Sequence, residues 1–537
     1  MKKLVMISLL FIASATVSFS QDMEIKWQQC FGGSEEDHVY DILKVGNTYL
    51  LAGSTGSDDG DISFSHGLFD AWLVKIDSSG NLIWEKTFGG SAGDAFGKIL
   101  TTENNNYFLI GASTSSDGDI SNDPYPGSND IWVVKIDSIG SILWDKIIGG
   151  GMIDHVESAS ITNDGGVAIF GWTGSQNGDI SVNYGMYDMW LVKLNSDGEI
   201  VWDKSFGTDD FDYGIDIIQT SDGGFLIGGA STIGNVGNLT CDPYNINAEC
   251  ILLKLDSLGN IEWQNCYGGS DHDGIDAVLE MQDGYVFSAY GWSGDGDLTG
   301  SGWHGEGDIW VVKVDFYGNI IWQKCYGGSK YESALNIFSV ENNGIVLIGA
   351  TQSQNGDVTN NHSISEYDND IWFLKIDSVG QIITQKCFGG IGNEFIYGGA
   401  LQKSDNNYVI AAYTDYGPSY DVGCEPHGGN GNFDEDYWVF EIDSQDTTGV
   451  IENPKNHEGV KVYPNPTKDY LVFEVIEKTN FRTVTVTIYN LYGREVVAKQ
   501  MTSETTVIDL RELKVGIYFY HIEIEDQNYS GKFVVQK

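Results

Sequence analysis

Proline and basic residues are scarce in this chain, and each scarcity closes off a class of protein. Only 8 of 537 residues are Pro, against 68 Gly and 12% aromatics. That balance excludes a disordered polymer and reads as an all-β protein whose turns are made by glycine. Lys and Arg number 29 against 77 Asp and Glu, a formal net charge of −48. Phosphate binding needs a concentrated basic surface, so nucleic acid is not expected as a partner. Such acidity suits a soluble extracellular protein, or one that meets cations.

Long apolar runs are missing beyond residue 20, so no transmembrane segment is expected. Residues 1–20 read as a signal peptide: Lys2 and Lys3, the apolar stretch Leu4 to Val17, then Ser18 and Ser20 before Gln21. No Cys stands at that cut, so a lipid anchor is not indicated. Cysteine is sparse and odd in number, at seven. Cys30, Cys266, Cys325 and Cys387 occupy equivalent repeat positions, far apart in a ring, and read as small core residues. Cys241 and Cys250 share one loop of an exported chain; a local disulfide or two free thiols are the alternatives. Cys424 has no obvious partner.

Helical periodicity is also absent, and in its place one phrase recurs. Asp70–Gly90, DAWLVKIDSSGNLIWEKTFGG, reads as a strand, a tight turn at Ser78–Asn81 and a returning strand. Trp72, Val74 and Ile76 give the period of two expected of a half-buried strand. The second-strand anchor recurs as Trp27, Trp84, Trp144, Trp202, Trp263, Trp322 and Thr384, spaced 57, 60, 58, 61, 59 and 62 residues apart. The first-strand anchor recurs as Trp72, Trp132, Trp190, Ile251, Trp310, Trp372 and Trp438. Two further strand signals lie between hairpins. Residues 24–443 therefore predict a seven-bladed β-propeller with four strands per blade. The orphan strands Ile25–Phe31 and Tyr437–Asp443 close it if they pair, leaving no open edge.

Residues 444–458 are polar and aperiodic, a linker. Residues 459–537 then carry ten Lys+Arg and ten Asp+Glu, a neutral tail behind a strongly acidic body. Seven short strand signals there predict a small β-sandwich. Val462-Tyr463-Pro464-Asn465-Pro466, Ile488 to Val496 with Gly493-Arg494 at its centre, Ile508-Asp509-Leu510 and Gly516-Ile517-Tyr518 follow one another. In these motifs the tail resembles the C-terminal sorting domain of the Bacteroidetes type IX (Por) secretion system. The resemblance implies secretion across the outer membrane, with that machinery and its sortase-like peptidase as partners, and release or attachment at the cell surface. Residues 24–443 resemble the Gly- and Trp-rich propeller arrays found ahead of such tails, a likeness that brings no activity with it.

No nucleophile elbow, zinc-protease helix or phosphate loop occurs, so the expectation is a non-catalytic, monomeric binding or adhesion module. A glycan or a protein is its ligand in this reading; a polysaccharide-acting enzyme with paired carboxylates is the alternative. Acids recur ten residues after each anchor (Asp37, Asp94, Asp154, Asp212, Asp273, Glu332, Glu394) and before each third strand (Asp70, Asp130, Asp188, Glu249, Asp308, Asp370, Asp436). Acids required in every repeat are expected to hold loops through backbone N–H groups. Ca²⁺ is the functional alternative, at Asp58, Asp59 and Asp61 or at Asp295 and Asp297. Deviations from the repeat point instead to a ligand site at Trp303 and His304 of the fifth long loop and Tyr416, Tyr420 and His427 of the seventh. Trp303 is the first choice, since an indole face offers stacking area to a sugar.

Overall fold

The phrase Asp70–Gly90 folds as antiparallel strands Asp70–Asp77 and Leu82–Phe88. Gly80 turns the chain at φ 84°, and the Asp77 carboxylate accepts the N–H groups of Ser79 and Asn81 at 2.8 and 3.0 Å. Asp37–Val45 and Thr48–Thr55 complete a four-stranded antiparallel sheet. The same sheet recurs with first strands starting at Asp94, Asp154, Asp212, Asp273 and Glu332. One more sheet joins distant parts of the repeat array. In it Glu24–Phe31 pairs with Asp436–Asp443, which pairs with Asn407–Thr414, and the inner edge is Glu394–Phe395 with Ala400–Ser404. Trp27 lies opposite Glu441 and donates its indole N–H to Glu441 Oε2 at 2.8 Å. The sheets are numbered one to seven below, in the order of their first strands.

This architecture comes from a computed structural model that describes residues 23–232, 236–241, 248–427 and 435–443. In the tail it describes 460–463, 467–468, 470–475, 484–490, 494–501, 503, 505–511, 513–514, 516–524 and 527–535. The signal segment 1–20, the linker 444–458 and the motif residues Pro464, Asn465, Pro466 and Gly493 lie outside the described residues. The chain divides into two units, Met1–Gln445 and Asp446–Lys537. No α-helix occurs among the described residues, and no helix is long and apolar enough to cross a membrane.

The third strands are buried on both faces, not on one. Trp72, Val74 and Ile76 share a core with Phe31, Tyr437 and Val439 of the seventh sheet, while Ala71 and Leu73 pack with Phe96, Leu109 and Trp132 of the second. The period of two survives, but both sets of side chains are apolar because a sheet stacks on each side. The same alternation links every sheet to the next through one apolar cluster each. Trp72, Trp132, Trp190, Trp310, Trp372 and Trp438 are no more than 1% exposed. Burial at that level stabilises by roughly 1.5–3 kcal/mol per large side chain.

The second-strand anchors have a different role. An ideal Cβ on Gly80 would fall 2.6 Å from the Trp27 ring; Gly198 meets Trp144 and Gly259 meets Trp202 in the same way, at 2.6 and 3.0 Å. Each of these indoles lies on the hairpin turn of the following sheet, where only glycine leaves room. Thr384 is the exception that the topology explains. It would cover the turn between the third and outer strands of the seventh sheet, but those strands, Asp436–Asp443 and Glu24–Phe31, are not joined by a hairpin.

The cysteines correct the sequence reading. Cys241 bonds to Cys266, not to Cys250, and Cys30 bonds to Cys424. Equivalent cysteines of different sheets do stay apart, but each long loop folds over the outer strand of its own sheet. A Cys in that loop therefore reaches the Cys three residues past the anchor. The fifth loop presents Ser301 at this place instead, with its Oγ 3.0 Å from Cys325 Sγ. Cys250, Cys325 and Cys387 are free and buried.

In the tail, Val460–Tyr463, Tyr470–Val475 and Thr505–Asp509 form one sheet, and Glu495–Gln500, Thr485–Asn490, Gly516–Ile524 and Gln527–Val535 a second. Leu471, Phe473 and Ile508 from the first meet Val486, Ile488, Ile522 and Phe533 from the second in a single core. Tyr518, 8% exposed, joins that core and donates its hydroxyl to Lys514 O at 3.0 Å. Arg494 donates its N–H to Asn490 Oδ1 at 3.1 Å, and Gly516 opens its strand at φ 157°.

Candidate functional site

The recurring acids are structural fastenings. Asp94 is 2% exposed and accepts the Gly90 N–H at 2.8 Å, the Ser115 hydroxyl at 2.8 Å and the Ser113 hydroxyl. Asp37, Asp154, Asp212, Asp273, Glu332 and Glu394 repeat this grip on the loop four residues earlier. The acids before the third strands face them. An added Cβ on Gly149 would sit 2.2 Å from Asp130 Oδ1 and 2.7 Å from Asp154 Oδ2, so two buried carboxyls flank one glycine. Burial raises the pKa of both, and at Asp130 the neighbouring Asp154 carboxyl adds to the rise.

The candidate Ca²⁺ carboxylates are engaged in the same way. Asp59 accepts the Ser34 N–H, Asp61 that of Gly32, Asp295 that of Ser270 and Asp297 that of Gly268, at 2.8 to 3.3 Å. Asp58 is exposed beside them. Among the described residues no three His, Cys, Asp or Glu side chains gather as a metal site.

His304 and His427 belong to a clamp that sequence reasoning missed. His304 Nδ1 lies 2.9 Å from Asp308 Oδ2 and its Nε2 3.8 Å from Asp357 of the next sheet's loop. His427 spans Asp436 and Asp61 likewise, at 2.9 and 3.7 Å. His66 spans Asp70 and Asp119, and His362 spans Asp370 and Asp421. Four uses of one arrangement argue for joining neighbouring sheets. Trp303 stays 41% exposed, its indole N–H on Gly291 O at 3.2 Å and its ring against Gly294. Tyr420 is 71% exposed and packs on His362 with ring centroids 4.8 Å apart. Tyr416 is half-buried beside Gly392. The five residues are thus not brought into one pocket; Tyr420 adjoins the sixth sheet's loop and Trp303 lies over its own.

A cavity of about 380 Å³ is lined by residues from the first strands of sheets one to six and by Tyr397 and Gly398 of the seventh. Each of those six first strands carries a β-bulge. The bulge turns the residue three past the recurring acid toward this cavity: Tyr40, Gly97, Glu157, Ile215, Asp276 and Leu335, with Tyr397 at the equivalent place in the seventh sheet. These seven positions have almost nothing in common, although the strands around them repeat closely. That break in the repeat is present in the sequence and is the signal by which the cavity was open to discovery. Tyr40 and Tyr397 face each other with centroids 5.1 Å apart, and His38, bonded to Glu435, packs against Tyr413 at 5.3 Å. Across the cavity Glu157 accepts the Trp172 indole N–H at 3.3 Å and lies 3.2 Å from His155. Burial pushes the Asp276 carboxyl up to about 7.

Similarity to known proteins is uneven along the chain. Regulatory protein FlaEY of Caulobacter vibrioides is 24% identical over 200 residues, 33% of this chain and 21% of its own. The chain thus spans about a fifth of the length of that curated relative. Among solved structures, PorZ, a surface component of the type IX secretion system of Porphyromonas gingivalis, aligns over 94% of this chain and 60% of its own, at 11% identity and a TM-score of 0.38. Drosophila Plexin A, solved in complex with Semaphorin 1b, aligns over 81% and 90%, at 7% identity and a TM-score of 0.39. Likeness that weak transfers neither ligand nor activity. The tail is different, because residues 461–536 match the family model of the secretion system C-terminal sorting domain. Residues 461–536 are a type IX secretion C-terminal sorting domain, and its presence indicates secretion or attachment to the outer surface.

Proposed function

We propose that the exported body is a closed seven-bladed propeller that serves as a non-catalytic binding module for an extracellular glycan or protein. Support for closure comes from the last sheet, completed by a strand from the start of the repeats, and from the apolar cluster it shares with the first sheet. The ligand site in this reading lies on the face of the long loops, where the repeat is broken by Trp303, Tyr416 and Tyr420. The single observation that carries it is the Trp303 indole, large, apolar and 41% exposed on a loop whose counterparts lack an aromatic there. Stacking on a sugar face uses such a surface at little entropic cost.

The test is a glycan array probed with the secreted protein, with and without Ca²⁺. Trp303→Ala is expected to weaken the strongest signal by about 1–3 kcal/mol while leaving the melting temperature unchanged. No bound glycan in either condition, or an unaltered signal from Trp303→Ala, would count against the reading. Turnover of a bound glycan would favour the enzyme alternative.

A further inference from the structure

We infer that the cavity between the first strands binds a small organic cation, an ammonium-bearing ligand whose charge is met by Asp276 and Glu157 and whose body lies against Tyr40 and Tyr397. This site is distinct from the Trp303 surface and neither depends on the other. A cavity of about 380 Å³ accommodates a ligand of monosaccharide size.

The charges around the cavity leave one group unmatched. Lys98 is faced by the half-buried Asp41, whose carboxyl is raised by burial and lowered by Lys98 itself. Glu157 has His155 and the Trp172 indole. Asp216 is satisfied by the Ser158 hydroxyl at 2.7 Å and by the N–H groups of Ile217 and Val278 at 2.9 Å. Asp276 is 8% exposed, and its one hydrogen bond among the described residues is a long one, from the Ala334 N–H at 3.5 Å. A carboxylate so buried is costly without a counter-charge or a proton. An ammonium group supplies both the charge and the missing donors, and the tyrosine faces opposite add cation–π attraction and apolar contact. At the bulge position, where the repeat fixes no residue type, the array places an acid twice and a tyrosine twice.

The experiment titrates the full-length secreted protein with glucosamine, choline and putrescine, and with N-acetylglucosamine and glucose as uncharged counterparts, by calorimetry. The three ammonium-bearing probes separate an amino-sugar from a quaternary amine and from an alkyl amine, the form a lysine side chain would present. At least one of the three is expected to bind, and its uncharged counterparts are not. For choline and putrescine, which stay charged throughout, affinity is expected to rise about tenfold or more between about pH 5.5 and about pH 8, as Asp276 loses its proton. The groups that face Asp276, the Tyr290 and Tyr331 phenols and the Cys250 thiol, are all pushed upward by burial and stay neutral over that interval. Asp276→Asn should remove the binding and the pH dependence together while the protein melts no lower, since it deletes a poorly solvated charge. Tyr397→Leu should weaken binding several-fold. The inference is overturned if none of the three ammonium probes binds, if N-acetylglucosamine binds as well as glucosamine, or if Asp276→Asn binds like the parent.

Discussion

Cys30→Ser tests whether the strand Glu24–Phe31 holds the body together. The Cys30–Cys424 bond spans 394 residues, against 25 for Cys241–Cys266. The loop-entropy relation gives about 6 kcal/mol for the longer span and about 3.5 kcal/mol for the shorter, and measured values commonly fall short of both. Strand pairing seats Cys30 against Trp438 without any bond, so the native state is retained in Cys30→Ser and the change falls on the unfolded chain. The expected loss is about 2–5 kcal/mol, larger than for Cys266→Ser. Guanidinium unfolding followed by tryptophan fluorescence reads both, with reductant added to the parent as a third arm. If Cys30→Ser unfolds at the parent's midpoint, or Cys266→Ser is the more damaging of the two, the proposed closure is wrong.

Trp72→Ala, at a site with 0% exposure and an indole N–H on Glu85 Oε2 at 3.0 Å, is expected to cost about 3–5 kcal/mol in the same assay. Trp84→Ala, at a half-buried indole on the next hairpin turn and the margin of the same core, should cost less. Gly149→Ala would press a methyl between Asp130 and Asp154 and is expected to lower stability by about 1–3 kcal/mol, whereas Gly97→Ala, whose nearest neighbour is 3.9 Å away, should stay within about 0.5 kcal/mol. Stability should fall as pH rises. Burial pushes Asp188 and Glu332 up to about 7, Asp212 to about 6 and Glu394 to about 8, so the folded state holds more protons than the unfolded chain above about pH 4. That stabilisation is complete below the unfolded carboxyl range and is lost through about pH 8; a melting temperature that is flat or rising from pH 5 to pH 8 would contradict it.

The strands were legible because the repeat states them again and again, with Trp132 standing where Trp72 stands and Gly140 where Gly80 stands. The pairing of Glu24–Phe31 with Asp436–Asp443 followed from counting strands, without any local signal. Disulfides were not legible, because the reach of a long loop over its own sheet is set by loop conformation, which spacing does not report. His304 stands 4 residues before its acid, the spacing that His66 and Asp70 share, so the sequence carried that pair; His362 and His427 stand 8 and 9 residues before theirs, and only the folded loops show all four as equivalents. The cavity was hidden by a bulge: a period of two assigns Tyr40, Glu157 and Asp276 to a sheet face, and the extra residue turns them inward.

The account rests most directly on the tail as the agent of export. The decisive measurement is fractionation of cells expressing the full chain or a chain ending before residue 459, with the body detected in periplasm, outer membrane and medium. The full chain is predicted outside the cell or on its surface, and the shortened chain in the periplasm, folded and protease-resistant. Equal appearance of the shortened chain outside the cell would contradict it.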